Sequence, residues 1–220
     1  MRTHYYLGWF NDYFIEKLVM LLQEDIADRK SIVMVSANPF LIGDDDVGAT
    51  ECSWLDQADI VFEEYHLIDY GVQKKEAQKL IQNASVIFLL GGNAKEQNGL
   101  LTQYELSNLI EKSNAIVLGT SAGAINMSAK WLYSKYTGNK DGTSSVCNGI
   151  GLGDFSVLSH FDLENNLEEI KVELSLLSEE MNIYVSNKDC AVRVKGDKID
   201  ILGDVYLMSQ SKLIKLDETV

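Results

Sequence analysis

The residue whose surroundings best support chemistry is Ser121, the middle residue of Gly-Thr-Ser-Ala-Gly within residues 117–127. An apolar run typical of a buried strand precedes it, and small residues typical of a helix start follow it. A serine on a sharp strand-to-helix turn exposes its hydroxyl, and flanking glycines let neighbouring backbone pass without a Cβ clash. We predict such a turn here, with Ser121 as a candidate nucleophile and an ordinary tight turn as the alternative.

A serine nucleophile needs a base, which is most often histidine. The chain has three histidines. His4 lies at the start of the first predicted strand and His66 lies inside another. His160 directly follows the predicted strand over residues 155–159, so it could reach the same sheet edge as Ser121. We predict His160 as the base, and an ordinary loop histidine is the alternative.

Attack on a carbonyl creates an oxyanion that two N–H donors must stabilise. Ala122 follows the candidate nucleophile and supplies one natural donor. Gly91 and Gly92 follow a predicted strand and could supply the other, because glycine can adopt the backbone twist that aims an N–H inward. The alternative is a sharp turn, with or without a bound phosphate. The chain lacks the Gly-x-Gly-x-x-Gly fingerprint and the P-loop, so nucleotide binding has no support.

The pattern of apolar segments predicts the elements that would position these residues. Continuous apolar strands alternate with amphipathic helices, which is typical of a mostly parallel sheet with helices on both faces. The predicted strands cover residues 4–8, 31–36, 59–62, 65–68, 86–90 and 115–118, and the predicted helices cover 12–25, 74–83 and 99–112. In such sheets catalytic groups gather at the carboxyl ends of the strands, where Gly92 and Ser121 fall.

The second half of the chain differs in composition and in its pattern of apolar residues. Residues 133–153 are rich in Gly, Ser, Thr and Asn and predict a loop, followed by a strand over 155–159 and a helix marked by residues 167–177. Short antiparallel strands are predicted at 183–185, 191–194, 199–202, 205–208 and 213–216, with a two-residue Gly196-Asp197 hairpin turn. Nothing in the composition divides the chain, so we predict a single α/β domain over residues 1–220.

Composition limits the partners and the compartment. The formal net charge of −14 argues against nucleic acid or an anionic membrane as a partner. Three widely separated cysteines predict neither a disulfide framework nor a zinc site. Gly43-Asp44-Asp45-Asp46 lacks the remaining spacing of a calcium loop and is predicted as a solvated loop, so no metal or cofactor is expected. No signal peptide or transmembrane segment is evident, which predicts a cytoplasmic protein.

Three motifs in this order resemble a known family. They are Phe-Leu-Leu-Gly-Gly-Asn at 88–93, Gly-Thr-Ser-Ala-Gly-Ala at 119–124, and the segment 151–162 that ends in Ser-His-Phe-Asp. Together they are similar to the peptidase E (aspartyl dipeptidase) and cyanophycinase family of serine peptidases. The resemblance implies a fold like that of class I glutamine amidotransferases, with serine in place of cysteine. It implies Ser121 as nucleophile, His160 as base and an oxyanion hole at Gly92 and Ala122. Gly91 and Asn93 would then contact substrate.

Two departures from the family pattern affect the expected chemistry. The family's third catalytic residue is an acid on a loop after the strand predicted at 183–185, where the most direct alignment gives Asn187, which carries no charge. We take Asp189 as the candidate acid, with Asp141 as a further possibility. An acid is needed to hold the imidazole tautomer and to stabilise the imidazolium. After Asn93 the chain reads Ala-Lys-Glu-Gln rather than the family's usual residues, so the resemblance does not extend to specificity for Asp-X dipeptides.

The resulting prediction is a serine-type hydrolase that cleaves a small peptide or amide, with Asp-X dipeptides among the candidates. The protein would be a monomer or a homodimer. One alternative is a catalytically weak family member that acts as a small-ligand-binding or regulatory protein. Another is an α/β-hydrolase esterase, which the Ser121 motif alone permits. A glutamine amidotransferase is disfavoured because no cysteine occupies position 121.

Overall fold

The computed structural model describes residues 2–159 and 163–219, and their side chains apart from 163–166 and 176. The strands in chain order are β1 (Thr3–Leu7), β2 (Ser31–Ala37), β3 (Glu64–Ile68), β4 (Val86–Gly92), β5 (Ile116–Thr120), β6 (Lys130–Tyr133), β7 (Ser145–Asn148), β8 (Ser156–Ser159), β9 (Ile183–Ser186), β10 (Ala191–Lys195), β11 (Lys198–Leu202), β12 (Val205–Ser209) and β13 (Lys212–Lys215). The helices are α1 (Glu16–Asp25), α2 (Ala49–Gln57), α3 (Lys74–Asn83), α4 (Ala94–Gln103), α5 (Ser107–Lys112), α6 (Ala122–Met127) and α7 (Leu163–Glu180).

A seven-stranded sheet in the order β11-β10-β1-β5-β4-β2-β3 forms the centre. The five strands from β1 to β3 in this order run parallel to one another, and β10 and β11 are antiparallel additions beside β1. Because β4 and β5 are parallel neighbours, their carboxyl ends lie side by side. Gly92 ends β4 and Ser121 directly follows β5, so the topology brings the two predicted site segments together.

Helices cover both faces of this sheet, as the continuous apolar strands require. On one face, side chains of α1 and α2 pack on the sheet, with Leu22 and Trp54 among the buried residues. On the other face, α3, α4 and α6 pack on it, with Ile81 and Leu100 buried there. The predicted class, a mostly parallel α/β sheet between helices, is confirmed.

The C-terminal strands divide between two sheets rather than forming one antiparallel region. β10 and β11 form the predicted hairpin across Gly196-Asp197 and join the main sheet. The remaining strands form a second sheet in the order β13-β12-β9-β8, in which β8 and β9 are parallel. Helix α7 packs on this sheet through Ile170, Leu174 and Leu177.

Several predicted boundaries are wrong, and helix α2 was not predicted at all. The first helix begins at Glu16 rather than at residue 12. Residues 59–62 form no strand; Ile60 donates its N–H to Leu55 O at 2.9 Å, so the segment closes the end of α2. The helix predicted over 99–112 is two helices, α4 and α5, because Glu105 adopts a φ of 56°.

The loop predicted over 133–153 contains regular structure. β6 and β7 pair as an antiparallel hairpin, and between them lies a 3₁₀ turn over Lys135–Thr137. We call residues 130–148 the flap. Its outer side is joined to α7 by an ion pair between Lys135 and Glu169 and by a hydrogen bond from Ser144 to Glu173. These contacts link the flap to α7.

Candidate active site

Ser121 occupies a sharp turn between β5 and α6, as predicted. Its backbone has a φ of 51° and a ψ of −109°, a conformation that non-glycine residues rarely adopt. Its N–H donates to Leu7 O at 3.1 Å. The preceding Thr120 donates its hydroxyl to Gly8 O at 2.7 Å, which fixes the turn to the end of β1. A side chain on Gly123 would overlap the Leu89 carbonyl, so the glycine lets α6 pack directly on β4.

A cavity of about 340 Å³ lies over this turn. The turn between β4 and α4, the start of α6, the inner side of the flap and the end of β8 surround it. Its lining residues are Gly92, Asn93, Ala94, Ser121, Ala122, Ile125, Tyr136, Thr137, Gly138, Lys140 and Ser159. The structure therefore brings four predicted site residues, Gly92, Asn93, Ser121 and Ala122, into one cavity.

The two glycines of the oxyanion turn have different environments. Gly92 lines the cavity with a φ of 138°, and a Cβ there would lie 2.7 Å from Asn38 Nδ2. Only glycine therefore fits at this position. Gly91 does not line the cavity, and its N–H donates to Glu51 Oε1 at 3.0 Å. Gly91, predicted to contact substrate, thus has its amide bound within the protein.

Asn93 lines the cavity but also caps a helix. Its Oδ1 accepts the N–H groups of Lys95 at 3.0 Å and Glu96 at 3.2 Å, at the start of α4. Its Nδ2 donates to Glu96 Oε1 at 3.0 Å. Such an N-cap satisfies helix N–H groups that otherwise lack partners. The Gly-Gly-Asn motif is therefore explained in part by the start of α4.

The predicted base directly follows β8 in the sequence. His160 is outside the described residues, and it follows Ser159, the last residue of β8 and a lining residue of the cavity. In the parallel pairing of β8 with β9, Ser159 lies opposite Ser186, and their hydroxyls are 3.4 Å apart. The loop that carries the candidate acid Asp189 and the aligned position Asn187 begins directly after Ser186.

None of the three candidate acid positions lines the cavity. Asp189 is exposed with a φ of 52°, and its N–H donates to Trp9 O at 3.1 Å. Among the described residues its carboxylate makes no hydrogen bond or ion pair. Asn187 is half-buried, and its carbonyl accepts the Cys190 thiol at 3.3 Å. Asp141 is exposed in the flap.

The flap supplies cavity residues that the sequence analysis missed. It contributes Tyr136, Thr137, Gly138 and Lys140, and Lys140 is the one cationic side chain among the lining residues given above. The composition of the flap resembles that of a loop, so no periodic pattern could have identified these residues. The signal present in the sequence was the cluster of Gly and Asn residues that the hairpin tip requires.

Neither a metal centre nor a membrane span is present in the parts of the chain that the structure describes. No three His, Cys, Asp or Glu side chains there come close enough together to hold a metal ion. No helix there is long and apolar enough to cross a bilayer. The acidic residues Asp44, Asp45 and Asp46 are exposed in a loop.

Two solved structures share this fold. One is a crystal structure of a peptidase from an acI-B1 Actinobacterium, with a TM-score of 0.67, 16% sequence identity and coverage of 100% of this chain and 96% of that one. The other, from Listeria monocytogenes EGD-e, is assigned as a peptidase E protein, with a TM-score of 0.63, 17% identity and coverage of 99% and 100%. At these identities the likeness shows the fold alone.

Sequence comparison identifies a relative and a family. A cyanophycinase from Geminocystis herdmanii (strain PCC 6308) is 28% identical over 185 residues, which cover 78% of this chain. The matched region spans 65% of the length of that cyanophycinase. The model of peptidase family S51 matches residues 21–202, which include both the Gly-Gly-Asn turn and the Ser121 turn. Since this match covers most of the chain, the protein belongs to peptidase family S51.

Proposed function

We propose that this protein is a serine-type hydrolase that cleaves a small peptide or amide through an acyl-enzyme on Ser121. The observation that carries the proposal is the strained turn at Ser121, which faces a cavity shared with Gly92 and Ala122. Backbone strain at such a turn is typical of sites where function requires it. Membership of peptidase family S51 supports the same reaction class.

In the proposed mechanism the Ser121 hydroxyl attacks the scissile carbonyl while His160 accepts its proton. The N–H groups of Gly92 and Ala122 stabilise the resulting oxyanion. His160 then protonates the leaving amine, and a water molecule hydrolyses the acyl-enzyme by the reverse sequence. We assign Asp189 as the acid that orients His160, with Asp141 as the alternative acid and with the uncharged Asn187 as an alternative for the third position. The pairing of Ser159 with Ser186 supports an acid on the loop after β9.

For the substrate we propose an acidic group that Lys140 recognises, as in an Asp-X dipeptide. The chain carries a net charge of −14, so a cationic side chain on the cavity wall is unusual for this protein and offers a binding partner for an acidic group. The backbone around Lys140 is well anchored: Asn139 is buried, its Nδ2 donates to Thr143 O at 2.7 Å, and its Oδ1 accepts the Asp141 N–H at 3.0 Å. Among the described residues the Lys140 ammonium has no carboxylate partner.

Replacing Lys140 by glutamine is expected to lower kcat/KM for Asp-X dipeptides by about 10- to 100-fold, because a charge-assisted hydrogen bond is lost. Hydrolysis of the matching Asn-X dipeptides should change by less than about threefold on the same reasoning. The measurement is steady-state kinetics on both substrate series. Lys95→Gln is the matched control, since the Lys95 ammonium contacts Cys147 Sγ at 3.6 Å and the Tyr133 ring, outside the cavity lining. Equal losses for both substrate series would contradict the assignment of Lys140.

A second candidate function is a catalytically weak family member that binds a small ligand. The uncharged Asn187, at the position that aligns most directly with the family's catalytic acid, favours this alternative. A ligand that raises the Tm of the wild type and of Ser121→Ala equally, with no product formed by the wild type, would support it over hydrolysis.

A further inference from the structure

Two buried side chains hold the peptide unit that directly precedes the proposed oxyanion donor. The Leu90 carbonyl accepts a hydrogen bond from Gln97 Nε2 at 3.1 Å. The N–H of the same peptide unit, which belongs to Gly91, donates to Glu51 Oε1 at 3.0 Å. Gly92 follows immediately and lines the cavity. Both polar atoms of the Leu90–Gly91 peptide unit are therefore fixed by side chains.

Gln97 also connects this peptide unit to the rest of the site. It lies on α4 and is fully buried. Its Nε2 donates to Val35 O on β2 at 3.0 Å, and its Oε1 accepts Asn126 Nδ2 at 3.0 Å. Asn126 is fully buried on α6, the helix that follows Ser121. Gln97 thus joins the ends of two strands to the helix beside the candidate nucleophile.

Glu51 approaches the peptide unit from the opposite direction, on α2. Its side chain is buried, and burial raises the pKa of its carboxyl. Burying such a group is costly unless it is hydrogen-bonded, and Gly91 supplies a bond. Glu51 does not line the cavity, so it has no direct contact with a substrate there. A Cβ on Gly91 would lie 2.9 Å from the Trp9 ring, which shows how closely this turn is packed.

We infer that Glu51 and Gln97 are positioning residues that clamp the Leu90–Gly91 peptide unit and so aim the Gly92 N–H at the oxyanion. Two consecutive glycines have the greatest backbone freedom of any pair, so an unclamped turn would present its N–H in many directions. Oxyanion stabilisation requires a donor that is already in place before the reaction. The inference rests on the proposed function for the role of the Gly92 N–H. The clamp itself consists of contacts among described residues.

The kinetic test compares Glu51→Ala and Gln97→Ala with Glu51→Gln, whose amide oxygen can still accept the Gly91 N–H. Rates are expressed per active site, titrated with a fluorophosphonate. Both alanine variants are expected to lower kcat by about 10- to 100-fold with KM within about twofold, because removal of a whole oxyanion donor costs 10²- to 10³-fold. Glu51→Gln should recover kcat to within about fivefold of the wild type, since the acceptor is retained.

The control is Gln78→Ala. Gln78 Nε2 donates to the Tyr104 carbonyl at 2.9 Å, an amide-to-backbone bond like that of Gln97 but outside the cavity lining. This variant should leave kcat per site unchanged. Alanine variants that lose Tm or active fraction yet keep the wild-type kcat per titrated site would overturn the inference, because the residues would then be structural only.

A readout that needs no turnover separates this inference from the proposed function. The Asn93 N–H donates to Ala37 O at 3.1 Å, a bond that none of the substitutions removes. If the clamp holds the turn, hydrogen exchange at Asn93 should be at least about 10-fold faster in both alanine variants and unchanged in Gln78→Ala. Unchanged exchange at Asn93 would reject the clamp. Inactivity of the wild-type protein would instead reject the proposed function, with the clamp still decided by exchange.

Discussion

Substitution of Ser121 by alanine is expected to lower kcat for peptide hydrolysis by about 10⁴-fold or more. Removing the nucleophile of a serine hydrolase eliminates the acyl-enzyme, and only oxyanion stabilisation and binding remain. The measurement is turnover of the best Asp-X dipeptide by purified wild type and variant. KM or ligand affinity should stay close to that of the wild type, because the cavity walls are unchanged.

Ser121→Gly serves as a companion to Ser121→Ala, since both substitutions remove the hydroxyl. Ser121 holds a φ of 51°, and such a conformation costs about 1–3 kcal/mol for a residue with a Cβ. Glycine relieves this strain but costs about 0.4–1 kcal/mol through the greater freedom of the unfolded chain. We therefore expect the glycine variant to be about 1 kcal/mol more stable than the alanine variant in denaturant unfolding. Equal stability would show that the turn is unstrained.

Replacement of Arg193 by methionine is expected to lower the free energy of unfolding by about 3 kcal/mol, because two buried carboxylates lose the guanidinium that they share and retain Lys195 and Lys198 as their cationic partners. Arg193 on β10 forms ion pairs with Asp25 at 2.8 Å and with Asp200 at 2.7 Å. The side chains of all three are at most 4% exposed. The measurement is urea unfolding at neutral pH. Lys17→Met is the control, since the Lys17–Glu218 pair is exposed and should contribute less than about 1 kcal/mol.

The same network predicts how this difference depends on pH. Burial opposes ionisation of Asp25, but hydrogen bonds from Lys195, Tyr5 and Arg193 outweigh it and lower the pKa of Asp25. Burial likewise opposes ionisation of Asp200, and hydrogen bonds from Lys198 and Arg193 lower its pKa. A lowered folded-state pKa contributes stability that is complete above the unfolded-state value of 3.8 and is lost as pH falls through the folded-state value. Because the unfolded state contributes equally to both proteins, the difference in unfolding free energy between wild type and Arg193→Met should be smaller at pH 3 than at pH 7. A gap that is the same at pH 3 as at pH 7 would contradict the account.

The sequence predicted those strands and turns that are determined by neighbouring residues. The apolar run before Gly91 gave β4, and the two-residue turn at Gly196-Asp197 gave the β10–β11 hairpin. Helix α2 was missed because its buried positions include Glu51, which disrupts the apolar pattern. The break between α4 and α5 at Glu105 was missed because neither glycine nor proline marks it in the sequence. A hydrogen bond from the Leu106 N–H to Leu101 O closes the end of α4 there.

Other features of the structure depend on contacts between segments that are distant in the sequence, and no local pattern reveals such contacts. Arg193 and Asp25 look like ordinary surface charges in the sequence, yet they pair in the interior across 168 positions. The placement of Lys140 in the cavity depends on the flap, a hairpin whose strands pair across a long tip. In the candidate site, the serine turn and the glycine turn were predictable from their motifs. The residues that hold the glycine turn, Glu51 and Gln97, act through tertiary contacts and are not marked by any sequence motif.

The measurement that tests the central proposal most directly is intact-mass spectrometry after incubation with a fluorophosphonate, on wild type, Ser121→Ala and His160→Ala. An activated serine forms a covalent phosphonyl adduct, whereas an ordinary serine does not. The proposed mechanism predicts one adduct on the wild type and none on either variant. An unmodified wild type, or an adduct that persists in Ser121→Ala, would contradict the assignment of Ser121 as an activated nucleophile.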